Sequence, residues 1–315
     1  MVGRRAGFRK TIAAGAAVLA LTVGLSGCFG PDLSDRAHDI GGVLSTKPGV
    51  EDVRTVYQNG FDSGRLLAHT VTMSTDATHN QAVEVAATFD QETGSEFDRY
   101  DQELTLVISH QVIEMRDSTS SDIMEERTPH LLALASELSA DRIEWDQQSE
   151  QNPFDDSLRL TAVQSGPFRT LSVVRAELGS ESFELRTKAP SRAEWMVAFP
   201  YSEQAQNRQE TAISPILGQT DEIRIEDDQV SSYRVEVHDG PAAVGQLREK
   251  IERIDTVNPQ PWDFHWNLTT GPNSQWNPGW VNVGGCDYGE EPDSQSASSA
   301  QTLEDQLRAL YDTCQ

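Results

Sequence analysis

The sequence predicts an α+β protein built from tandem β-α-β-β-α-β units and closed by a C-terminal helix. Three observations predict it. Over residues 193–268 the apolar residues switch between the two-residue period of strands and the longer period of helices, in the order β-α-β-β-α-β. Residues 103–188 run through the same order and repeat two landmarks. Asp141-Arg142-Ile143-Glu144 matches Asp221-Glu222-Ile223-Arg224 at an offset of 80, and Gly166-Pro167 matches Gly240-Pro241 at an offset of 74. Finally, "AQTLEDQLRALYDTC" places Leu303, Leu307 and Leu310 on one helical face.

Taken from the N-terminus, "MVGRRAGFRK" carries four basic groups and no acid, and "TIAAGAAVLALTVGLSG" is uncharged and mostly apolar. A basic head, a short apolar run and small residues ahead of a cut form a secretory signal. The run is shorter than the roughly 20 apolar residues of a membrane span. It ends in Leu25-Ser26-Gly27-Cys28, an aliphatic residue and two small residues before a cysteine. This stretch resembles the lipobox of bacterial lipoproteins, a resemblance confined to residues 1–28. It implies removal of the signal peptide, residues 1–27, a diacylglyceryl group on the Cys28 thiol, and further acylation, as palmitate, at the new amino terminus. It places the protein outside the cytoplasm, anchored to the outer leaflet of the cell membrane. At about 0.8 kcal/mol per buried CH₂, two or more acyl chains hold a protein stably to a bilayer. The Arg4-Arg5 pair matches a twin-arginine export signal poorly, because Ala6 and Gly7 follow it, so the general secretory route is expected.

Residues 28–37 read as a tether. Residues 38–108 read as a degenerate α/β unit: a weak helix in "DRAHDIGGVLS", strands in "VRTVYQ" and "RLLAHTVTMS", and a helix opened by a Thr78-x-x-Gln81 capping box. Its closing strand lies around Leu104–Ile108. The next unit, residues 109–190, shares a strand in "ELTLVISHQVIEM". A helix follows with Thr128 as N-cap and Pro129 at its first position, then strands "DRIEW" and "SLRLTAV", a helix from Gly166-Pro167, and a strand in "SFELRT". The third unit, residues 191–268, has a helix ended near Pro215 and a second helix after Pro241 with Val244, Leu247, Ile251 and Ile254 on its apolar face. This element order is that of the split βαβ, or ferredoxin-like, unit, and tandem copies with antiparallel sheets are the expected architecture. A single mixed sheet with helices on one face is the rival. Residues 269–315 form a Trp/Gly-rich loop of turn formers and the closing helix.

The chain holds three cysteines, so assigning Cys28 to lipid leaves Cys286 and Cys314 as a pair in an oxidising compartment. A disulfide between them closes about 29 residues, for which chain entropy gives roughly 3–4 kcal/mol. Two free thiols are the alternative. Removing the signal takes the formal charge from −25 to −29, a surface that repels phosphates and argues against nucleic acid as a partner. Arg outnumbers Lys 21 to 4, the usage of a GC-rich bacterial genome.

Of six tryptophans, Trp262, Trp266, Trp276 and Trp280 fall within 19 residues. Trp262 and Trp266 sit at strand spacing and are expected in the core. Trp276 and Trp280, on a loop, are the candidate ligand-binding residues, able to stack on a sugar ring or hold a peptide, or else to cover a sheet edge. The seven histidines lack zinc-ligand spacing, and no nucleophile elbow, phosphate loop or dinucleotide fingerprint occurs. No catalytic residue, metal or cofactor is therefore expected. The function expected is a non-enzymatic binding or structural module that meets the membrane through Cys28 and takes a protein or cell-wall partner. The alternative is an envelope glycan hydrolase using paired carboxylates and Trp platforms.

Overall fold

The computed structural model describes residues 31–60, 64–117, 123–147, 156–179, 181–188, 193–238, 240–269, 277–286 and 298–313. Among these residues six αββ units follow one another. They are α1 (Ser34–Ser45), β1 (Val50–Gly60) and β2 (Gly64–Met73); α2 (His79–Thr93), β3 (Asp101–Ile108) and β4 (Gln111–Asp117); and α3 (Ile123–Leu138), β5 (Arg142–Gln147) and β6 (Ser157–Thr161). Then come α4 (Pro167–Leu178), β7 (Phe183–Lys188) and β8 (Glu194–Phe199); α5 (Glu203–Ile213), β9 (Glu222–Glu226) and β10 (Gln229–His238); and α6 (Ala243–Asp255), β11 (Trp262–Thr269) and β12 (Asn277–Val283). Helix α7 (Ser298–Tyr311) closes the chain, as expected.

The twelve strands form one sheet in chain order, β1 to β12. Strands within a unit pair antiparallel, and strands joined through a helix pair parallel. The expected mixture of α and β is present and the β-α-β-β-α-β element order recurs. The separate antiparallel sheets give way to one mixed sheet that runs unbroken past residues 108 and 190, the arrangement of the rival reading. Each helix touches the next along the chain, so the helices share one face. Strand direction reverses from one crossover to the next while the order keeps advancing. Successive crossovers on a single face must then have opposite hands, against the general right-handed preference.

Local chemistry explains the elements. The stretch read as one strand over 103–115 is a hairpin, because Ser109, at φ 56°, turns the chain between Ile108 and Gln111. At the β9–β10 turn both Asp227 and Asp228 have positive φ, 50° and 63°, the conformation a two-residue hairpin favours. The Thr78–Gln81 capping box opens α2 as expected. Helix α3 starts earlier than expected, at Ile123, so Thr128 is not its cap. Its hydroxyl donates to the Met124 carbonyl at 2.6 Å, and Pro129 lies inside the helix.

The alternation of each strand puts one set of side chains under the helices. Trp145, Trp195, Trp262, Trp266, Tyr233 and Phe264 are almost fully buried there, and one continuous core links all six units. Trp262 and Trp266 are core residues, as their spacing predicts. A Cβ at Gly279 would lie 2.5 Å from the Trp266 ring, so glycine is required at that point of β12. Strand β12 itself lies in the stretch read as loop: its Val281 and Val283 are buried on the helix face. On α7, Leu303 and Leu307 are buried but Leu310 is 54% exposed, so the apolar stripe is narrower than expected.

Candidate functional site

Among the described residues no helix lies over the opposite face of the sheet. Its residues are the alternate positions of each strand: Glu103 on β3, Glu114 and Arg116 on β4, Arg142 and Glu144 on β5, Arg159 on β6, Glu184 and Arg186 on β7, Glu222, Arg224 and Glu226 on β9, and Arg234 on β10. They pair across strands into a ladder. Arg116 reaches Glu103 at 3.1 Å and Glu114 at 2.8 Å, Arg142 bridges Glu114 and Glu144, and Arg159 reaches Glu144 at 3.0 Å. Farther along, Arg224 meets Glu226 at 2.8 Å and Glu184 at 3.4 Å, and Arg234 meets Glu222 at 3.0 Å. Glu114 sits lowest in the ladder, and burial, then repulsion from Glu103, holds its carboxyl above the ordinary range. Charges opposite one another stabilise neighbouring strands and keep a wide uncovered face soluble.

The ladder ends on β10 and an aromatic platform follows. His265 on β11 faces Trp280 on β12, and their rings stack with centroids 5.8 Å apart and planes 9° apart. Beside them Asn282 Nδ2 donates to Asp263 Oδ1 at 2.8 Å, and the Arg308 guanidinium of α7 lies 6.0 Å from the Trp280 ring centre. Burial, with help from Arg234, holds the His265 imidazole below its ordinary value, so it is neutral against the indole near pH 7. A flat neutral pair next to the half-exposed Arg234 guanidinium of β10 offers stacking area together with a hydrogen-bond donor.

Of the residues expected to bind, Trp280 is thus placed on an accessible face, although on a strand. Trp276 lies outside the described residues, as do Cys28 and Cys314. Cys286 follows β12. The backbone just before it is tied to the end of α7: Gly284 N–H donates to the Tyr311 carbonyl at 3.0 Å, and Thr313 N–H to the Gly285 carbonyl at 3.1 Å. His265 was not singled out from sequence. The signal was present in "WDFHWNL", whose alternation sets His265 on the side opposite Trp262, Phe264 and Trp266.

Elsewhere, an open groove of about 630 Å³ lies on the helix layer between α5 and α6. Its charges are matched, Arg248 with Glu252 at 3.0 Å and Arg253 with Glu249 at 3.6 Å. Among the described residues no three His, Cys, Asp or Glu side chains are grouped to hold a metal ion, and no helix is long and apolar enough to cross a membrane. Comparison with protein families, curated proteins and solved structures finds no match to this chain.

Proposed function

We propose that this chain is a lipid-anchored protein of the cell envelope, held to the outer leaflet of the cell membrane through Cys28, that serves as a non-enzymatic binding module for a protein or cell-wall partner. The observation that carries the binding role is the Trp280–His265 stack on a sheet face that no helix among the described residues covers. An aromatic face there contributes contact area at low entropic cost, and the half-exposed Arg234 guanidinium beside it supplies direction. A Cys286–Cys314 disulfide belongs to the same reading. It is supported by the two backbone hydrogen bonds that draw Gly284 and Gly285 to Tyr311 and Thr313. The six αββ units are an internal tandem array in which the six elements from the second strand of one unit to the first strand two units later have the split βαβ order.

The glycan-hydrolase alternative needs two carboxylates about 5–9 Å apart beside an aromatic cleft. The grouped carboxylates of the open face are instead capped by arginines. Glu114 stands eight strands from Trp280, roughly 40 Å at the usual strand spacing. In the lipidated protein, Trp280→Ala and His265→Ala should each reduce retention on purified cell wall, or crosslinking yield in intact cells, about tenfold, the loss of roughly 1.4 kcal/mol. Wild-type retention and yield in both variants would refute the assignment of this platform.

A further inference from the structure

We infer that the β1 edge of the sheet faces the membrane, with the bilayer surface as its partner, and that the Trp280–His265 end is held away from it. The inference rests on the lipid anchor proposed above and adds where on the fold that anchor acts. Three peptide steps separate Cys28 from Pro31. Fully extended, they span about 11 Å. Pro31 is itself tied down: its carbonyl accepts from Asn59 Nδ2 at 3.4 Å. Two residues later, Leu33 N–H donates to the Tyr57 hydroxyl at 2.9 Å. Tyr57 is fixed in turn by Tyr100, the hydroxyls 3.0 Å apart and the rings stacked. Asn59 and Tyr57 belong to β1, close to its Gly60–Gly64 pairing with β2. An acyl chain on Cys28 therefore enters the bilayer within one short reach of this corner, and the tether has no slack to let the fold drift from it.

Both edge strands of the sheet are flanked by a helix, α1 beside β1 and α7 beside β12. Eleven interstrand spacings of about 4.8 Å put β12 roughly 50 Å from β1. A molecule lying flat would press a chain of formal charge −29 against the headgroups, and anionic lipid repels it. Standing on β1 keeps most of that charge off the lipid and carries the aromatic platform outward.

The test uses the lipidated protein, extracted from its membrane and reconstituted in vesicles of phosphatidylethanolamine and phosphatidylglycerol with a spin-labelled headgroup. Fluorophores are attached, one at a time, to Gln58→Cys on β1 and Leu310→Cys on α7, both exposed positions; unsubstituted protein carried through the labelling gives the blank. The Gln58 fluorophore is expected to dim about threefold, and the Leu310 fluorophore, roughly 50 Å away, to keep its emission. Equal quenching at the two positions, or none at Gln58, overturns the orientation. Mass spectrometry of the Cys28 peptide separates the two proposals. An unmodified peptide ends the anchor and the orientation together, whereas a lipidated peptide with an unquenched Gln58 label ends the orientation alone.

Discussion

Acid should loosen the attachment of α1 to the sheet, and His69 measures by how much. This side chain is fully buried on β2, facing α1. Its Nε2–H donates to the Ala37 carbonyl at 3.2 Å, and its Nδ1 has no partner among the described residues. Burial lowers the pKa from 6.5 to about 4, opposed by the Ala37 hydrogen bond and helped by His38. The unfolded chain therefore binds a proton on His69 from about pH 6.5 downward, and the folded chain only near pH 4. Stability is full above 6.5 and declines as the pH falls toward 4. At 1.36 kcal/mol per unit, the loss sums to about 3 kcal/mol. Urea unfolding of the non-lipidated Cys28→Ala protein, with and without His69→Gln, between pH 7.5 and 4 isolates this term, because other titrating groups are common to both. His69→Gln is expected to be less stable at pH 7.5 and to lose about 3 kcal/mol less on acidification. Parallel curves for the two proteins would refute the argument.

Three further outcomes can be checked by denaturation. Gly279→Ala drives a methyl group into the Trp266 ring and should cost about 1–3 kcal/mol; an unchanged melting temperature would contradict the contact. Asp221→Ala should cost about 3–5 kcal/mol, because it strands Lys250, whose Nζ lies 2.8 Å from Asp221 Oδ2, beside the buried Tyr233 hydroxyl; a loss below about 1 kcal/mol would show the pair to be solvated. Cys286→Ser should lower stability by roughly 3–4 kcal/mol under oxidising conditions and by nothing in reductant, and wild-type stability in both would rule out the disulfide.

Much of the fold was legible because local period reports local structure. The Thr78–Gln81 box, the buried face of α6 and the alternation of β9 and β10 all read directly. The order of strands was not legible, since a period says which side of a strand is buried and nothing about which strand lies beside it. The right-handed preference for crossovers also argues against a chain-order sheet with every helix on one face. The hairpin at Ser109-His110 was missed because its turn contains neither glycine nor proline. Strand β12 was missed for the opposite reason: Pro278 and Gly279 advertise a turn, yet proline is tolerated near the start of a strand and the glycine makes room for Trp266. Trp280 was singled out by residue type alone. Its partner His265 required knowing that β11 and β12 are neighbours, which is a tertiary fact.

The chain-order sheet bears on how the protein is made. Every strand finds its neighbours among the elements next to it in the sequence, so each αββ unit needs only the one already laid down before it. A polypeptide that emerges amino end first can assemble in the order in which it arrives, with short loops to close and no early strand waiting for a late one. Helix α7 docks on β12 after that strand has joined the sheet and seals the growing edge.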